Sequence, residues 1–363
     1  MVSAEGYRPN PVRTGYERMM PHRVDDLFAY TAKQDGEVVK KDKYHVTVRY
    51  ADDSEVKIEL GRRFGTVPGT IVPHEVVCNL SVGDTLKDGD VVCYNRDFFE
   101  PDPLNANQVL MRTGIMAKTA IVERSHTWED ASVISEKVAK ALGTKITKIR
   151  TILVRFDQTI RNLVAVGTEV DLETILCTIE DSVTADNDLF DEESLDSLRL
   201  MSSNTPKAKV HGVVERIDVF YHGDLEDMSE SLLGIAEVGD KERKQKLKAL
   251  GKKVTSGHVD GNVRIDKDPL DLDSMAIRVY ITERMGAGIG DKGVFGNQMK
   301  TVFSNVMTGM NESESGVELD AMFSYLSISN RIVLSPEVVG TTATLLRIMS
   351  KKVAERYFSK KGQ

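Results

Sequence analysis

Residues Ser274–Gln298 read SMAIRVYITERMGAGIGDKGVFGNQ. The apolar, β-branched run Ala276–Thr282 predicts a buried strand. It leads through Glu283, Arg284 and Met285 into a loop with glycines at 286, 288, 290, 293 and 296. Glycine reaches φ > 0 and lets backbone approach a ligand without a Cβ in the way. Arg284 and Lys292 flank this turn, and a cation on each side suits a loop that contacts phosphate.

The pattern excludes a P-loop, because Lys292 is followed by Gly293 and no GxxxxGK precedes it. Gly288-x-Gly290-x-x-Gly293 does satisfy the dinucleotide fingerprint GxGxxG. That motif also needs an acidic residue about 20 positions on, at the end of a second strand. Position 313 instead falls in the polar run NESESG. A glycine-rich surface loop with two solvated cations is the third reading.

The whole chain has 363 residues, enough for two or three domains. Hydrophobic residues make up 40% and charged residues 29%, as in an ordinary globular chain. No apolar run approaches the ~18 residues of a spanning helix, and the start MVSAEGYRPNP lacks the features of a signal peptide. No membrane association is expected. Cys78, Cys93 and Cys177 lie outside any CxxC spacing and read as reduced, buried thiols. The formal charge of −8 argues against a chain that grips nucleic acid by itself, but not against one basic loop lent to a shared site.

Residues 1–20 read as an extended arm. From Phe28 to Leu60, turns at Asp35-Gly36 and Asp52-Asp53-Ser54 separate alternating runs and predict a β meander. Val82–Cys93 (VGDTLKDGDVVC) and Val166–Cys177 (VGTEVDLETILC) form an internal repeat, each copy expected to be a β-hairpin. Gln108–Glu123 reads as strands. From Ala131 the period changes, and Val133, Ile134, Val138 and Leu142 fit one helical face with Glu129 and Asp130 near its start. ADNDLFD (185–191) lacks both the D-x-D-x-D and the EF-hand pattern and reads as a solvated acidic loop. Pro206–Tyr221 returns to strand, Lys241–Lys253 predicts a short basic helix, and Val338–Phe358 predicts a terminal helix.

Several of these segments resemble one family. Glu283–Val294, ERMGAGIGDKGV, is similar without a gap to DKMAGRHGNKGV, the active-site lysine segment in the β subunit of multisubunit DNA-directed RNA polymerases. Lys292 falls on the family's second lysine and Arg284 on its first. Thr14–Glu17 resembles TGxE, Ala32–Gly36 resembles AKxDG, and Trp128–Glu136 (WEDASVISE) resembles YEDAxxISE. Pro206–Tyr221 resembles the GVxGxVxDVxVF hairpin, Gly316–Asp320 resembles GxxVD, and Leu326–Arg331 resembles LGVPSR, with Ser327 and Ser329 in place of the family's glycine and proline. The matches keep one order from residue 14 to about 340.

The resemblance implies the central and C-terminal catalytic part of a split β subunit, similar to those of giant bacteriophages. It implies an α+β, mostly β fold with barrel domains, including a double-psi β-barrel-like catalytic domain with inserted sandwich or hairpin elements and a C-terminal helix. The expected divisions are an arm and meander (1–70), a first barrel half with Glu129 and Asp130 (71–185), an inserted hairpin and basic helix (186–265), and a second barrel half with Lys292 (266–363). Lys292 and Arg284 would hold phosphates at the RNA 3′ end and Arg331 those of the nucleotide. Asp130, helped by Glu129, would act on a second Mg2+ through water, the metals being held mainly by a β′-type partner. The implied partners are other polymerase subunits (an N-terminal β part, β′-type chains, a promoter-specificity subunit), DNA template, RNA product and ribonucleoside triphosphates, in the cytoplasm of a bacterial host or packaged in a virion. An NAD-binding oxidoreductase and a non-catalytic architectural or virion subunit are the alternative classes.

Overall fold

In the computed structural model, the described residues are 3–10, 13–67, 69–181, 204–296, 299–314, 316–331 and 335–361. The acidic run 185–191 lies outside them. The chain is α+β and mostly β, and none of the six sheets closes among the described residues. No helix among them is long and apolar enough to cross a membrane. The chain divides into two compact units, each built from two segments: residues 1–114 with 144–285, and residues 115–143 with 286–363.

The first unit is built on the Ser274–Met285 strand, longer than the predicted Ala276–Thr282 because Glu283, Arg284 and Met285 still pair in register. Met275, Ala276, Ile277, Val279 and Ile281 are fully buried, so a continuous apolar run marks a central strand. It pairs antiparallel with Thr144–Arg155 through twelve residues, from Thr144 opposite Met285 to Arg155 opposite Ser274. On its other side lies Gly212–His222, which is therefore a sheet strand flanked by the central strand and Glu169–Val170, not half of a local hairpin. The basic helix begins earlier than its charge pattern suggests and spans Glu230–Ala249, with Leu232 and Ala236 buried in the core under it.

The meander holds for Gly36–Lys41, His45–Tyr50 and Glu55–Glu59. Ala29–Thr31 instead joins the large sheet beside Val91–Asn95. The repeat copies are not hairpins, because their halves pair elsewhere: Thr85–Leu86 with Gly36–Lys41, and Glu169–Val170 with Gly212–His222. They nevertheless share one geometry. Gly83 and Gly167 both have φ 93. Gly83 N–H donates to Val38 O (2.8 Å) while Val38 N–H donates to Asp84 O (2.9 Å). Gly167 N–H donates to Val214 O (2.7 Å) while Val214 N–H donates to Thr168 O (2.9 Å). Cys93 and Cys177 end the two copies fully buried.

His74 sits in this unit against the Phe28 and Phe98 rings, with Asn95 Nδ2 at 2.9 Å from its Nδ1. Burial holds its pKa below the ordinary 6.5. The unfolded chain thus takes up a proton that the folded chain refuses, so this contribution to stability is full above pH 6.5 and declines as pH falls below it. The denaturant midpoint of the wild type is expected to fall more steeply between about pH 6.5 and 5 than that of His74→Gln; parallel slopes would remove His74 as the cause.

The second unit holds a five-stranded mixed sheet in the order Thr119–Ile121, Ala321–Phe323, Ala131–Ser135, Met299–Met307, Lys292–Phe295. Ala131–Ser135 lies parallel to Met299–Met307 and antiparallel to Ala321–Phe323. The helix expected from Ala131 starts only at Glu136 and runs to Ala141, because Ser135 caps it by accepting from Val138 N–H at 3.3 Å. Val133 and Ile134 belong to the strand. Phe303 and Ile134 form a core with Val138, Ala139 and Ala321. The terminal helix spans Ser335–Lys361.

Two glycines of the loop have local reasons. Gly290 turns the chain at φ 92. At Gly293 a Cβ would stand 2.5 Å from Phe303 Cζ. Gly293→Ala is expected to lower stability by about 1–3 kcal/mol through overpacking. An unchanged denaturant midpoint would mean that the Phe303 ring yields without cost.

Candidate functional site

Lys292 opens an edge strand and does not lie in the loop that precedes it. The loop closes on itself: Gly288 N–H donates to Asp291 Oδ2 at 2.8 Å, and Phe303 N–H donates to Asp291 O at 2.9 Å. Ala287 N–H reaches back to Ala139 O at 3.0 Å, satisfying a carbonyl near the end of the Glu136–Ala141 helix. A dinucleotide fingerprint needs a helix N-terminus after its glycines. Here an antiparallel strand follows them.

Along Lys292–Phe295, exposure alternates with the pleat: Lys292 and Val294 face out, while Gly293 and Phe295 are half-buried. Lys292 is the register partner of Val302, and Val302 is that of Ala131. One row of the sheet therefore joins Lys292 to the residue after Asp130, although the two are far apart in sequence.

The Glu129–Asp130 turn is held by its backbone. Glu129 adopts φ 52, a left-handed conformation that costs an L-residue on the order of 1 kcal/mol. Buried Ser327 donates its hydroxyl to Glu129 O. Buried Thr301 donates to Asp130 O at 2.7 Å, and Val302 N–H donates to the same oxygen at 3.1 Å. Both acidic side chains are left exposed.

Arg331 ends a helix, Tyr325–Arg331, where the sequence suggested a loop. Ser324 caps that helix by accepting from Ser327 N–H at 3.1 Å, and Glu123 Oε2 accepts from Leu326 N–H at 3.3 Å. Arg331 Nη2 donates to Asp130 Oδ1 at 2.7 Å and to Lys300 O at 3.0 Å. The strand starting at Ala131 is too short to reach Lys300, so its carbonyl is open and the guanidinium takes it. Arg331 Nη1 is enclosed without a hydrogen-bond partner among the described residues. Asp320, by contrast, is structural: buried, its carboxylate accepts from Lys118 N–H at 2.9 Å and faces Lys137 Nζ at 3.5 Å.

The sequence-predicted residues therefore divide. Lys292, Arg331, Glu129 and Asp130 all belong to the second unit. Arg284 belongs to the first, at the end of the central strand opposite Lys145. There Glu5 bridges the two cations, at 2.8 Å from Arg284 Nε and 3.4 Å from Lys145 Nζ. Thr301, Ser327 and Lys300 are additions that the structure makes. Among the described residues, no three His, Cys, Asp or Glu side chains converge to hold a metal. Compared with known protein families and with curated proteins, the chain finds no match.

The Arg331–Asp130 pair is partly solvated, with the Asp130 side chain 65% exposed. Such pairs contribute about 0–1 kcal/mol. Asp130→Asn is expected to leave the unfolding midpoint within that range, because the turn is held by main-chain oxygens. A loss above about 2 kcal/mol would show that the carboxylate itself fastens the unit.

Proposed function

We propose that the chain is the central and C-terminal catalytic part of a split β subunit in a multisubunit DNA-dependent RNA polymerase. The observation that carries the reading is the meeting, in one unit, of three segments whose sequences resemble the family's motifs. Those segments hold Lys292, Glu129–Asp130 and Arg331. In this reading the double-psi barrel-like form belongs to the same unit, and its parallel pairing of 131–135 with 299–307 and of 119–121 with 321–323 supports that form.

Template-directed nucleotidyl transfer brings an RNA 3′-oxygen in line with an α-phosphate, and most of the catalysis is positioning and charge neutralisation. Lys292, exposed and with no ion pair among the described residues, holds phosphate at the RNA 3′ end as a compact point charge. Arg331 offers a planar fork to the nucleotide's phosphates once they compete with Asp130 for it. Arg284 also serves phosphates at the RNA 3′ end in this proposal. Mg2+, when bound, stabilises the attacking and leaving oxygens. With one oxygen of Asp130 taken by Arg331, the two acidic side chains fit contact through water to an ion held by a partner's carboxylates better than a site of their own. The partner subunits, DNA, RNA, ribonucleoside triphosphates and host-cell setting named above all belong to this proposal.

The test is purification of the tagged chain from its native setting, followed by an assay for template-dependent rNTP incorporation. Incorporation together with other large subunits is expected. An inactive chain that binds NAD would replace this reading with the oxidoreductase one. In the active assembly, Lys292→Ala is expected to leave the complex intact and slow elongation about tenfold or more, equal to ~1.4 kcal/mol on the barrier. Unchanged elongation would remove Lys292 from the site.

A further inference from the structure

The outward face of the Lys292–Phe295 edge strand and its neighbour Met299–Met307 carries a second lysine. Register pairs Lys292 with Val302 and Val294 with Lys300, and all four side chains are exposed. Cross-strand partners share a face, so Lys292 and Lys300 are diagonal neighbours, on the order of 7–8 Å apart. No carboxylate lies within ion-pair distance of either ammonium among the described residues.

Lys300 is also joined to Arg331 through its own carbonyl, which accepts from Nη2 at 3.0 Å. The Arg331 guanidinium is thereby held against the Lys300 main chain. Arg331 is only partly satisfied there, with Nη2 on Asp130 and Lys300 O and with Nη1 enclosed and without a partner among the described residues. An enclosed donor without an acceptor costs about 1–3 kcal/mol. An anion beside Lys300 that draws the guanidinium outward relieves that cost and replaces Asp130 as its partner.

We propose that Lys300 is a phosphate-contacting residue that acts with Arg331 on the triphosphate of the incoming nucleotide. Lys292 stands one diagonal away, toward the RNA end. The assignment to a nucleotide rests on the polymerase reading, whereas the phosphate seat stands on the register, the exposed lysines and the contact of Arg331 with the Lys300 carbonyl.

The experiment is calorimetric titration of the full chain with inorganic tripolyphosphate at low salt, for wild type, Lys300→Gln, Lys300→Arg and a first-unit control, Lys87→Gln. Thermal melts verify that each variant is folded. Lys300→Gln is expected to bind roughly tenfold more weakly, the size of one charge-assisted hydrogen bond. Lys300→Arg is expected to recover most of the affinity, and Lys87→Gln to match wild type. Absence of saturable binding by the wild type, or equal affinity in Lys300→Gln, overturns the proposal. If tripolyphosphate behaves as expected while the purified assembly incorporates no rNTP, the phosphate seat stands and the polymerase reading falls.

Discussion

The twelve-residue antiparallel ladder between Thr144–Arg155 and Ser274–Met285 is the constraint on which the rest depends. Each of its strands continues directly into one segment of the second unit, and Thr144 and Met285 are partners at the ladder's end. The segments 115–143 and 286–331 therefore leave the ladder from neighbouring points. Joining them outright would mean closing a loop of well over a hundred residues, with the entropy that entails. Here the closure is shared with a strand pair whose central member is buried over most of its length.

Within the second unit the same logic recurs on a smaller scale. Ala131–Ser135 is wedged between two later strands, parallel to one and antiparallel to the other. A strand held on both edges has little freedom to slip, since a one-residue shift would turn Ile134 out of the core. The Glu129–Asp130 turn, one residue before the strand, inherits that precision. Its left-handed residue is tolerated because Ser327 and Thr301 hold the adjoining carbonyls from separate elements. The acidic side chains need no fold contact of their own and remain available to solvent, ligand or Arg331.

What was legible in the sequence follows from how each signal arises. The Ser274–Met285 strand was visible because a strand covered on both faces leaves a continuous apolar run. The same double burial hid the Ala131–Ser135 strand. Val133 and Ile134 are adjacent and both buried, and with Val138 and Leu142 they imitate a helical stripe although the helix begins only after Ser135. The repeat was visible as spacing, but its pairing was not, since hydrogen bonds to Val38 and Val214 come from strands remote in sequence. Lys292 is singled out by its neighbours in a motif, and the run of glycines disguises the strand it begins. The position of Lys300 also has a trace in the sequence. Lys292-x-Val294 and Lys300-x-Val302 have matching two-residue spacing, and only the register shows that they share a face.

Ser327 ties these threads together. In the resemblance it replaces a glycine of a loop motif, and that replacement put the path of the backbone around Arg331 in question. The structure answers with a helix capped by Ser324, in which Ser327 N–H meets the cap and its hydroxyl fastens Glu129. A glycine there would be free to turn but would give the Glu129–Asp130 turn no donor. The hydroxyl thus couples the helix that carries Arg331 to the turn that carries its partner Asp130. Both ends of the Arg331–Asp130 pair are thus located by backbone contacts that do not depend on the pair itself.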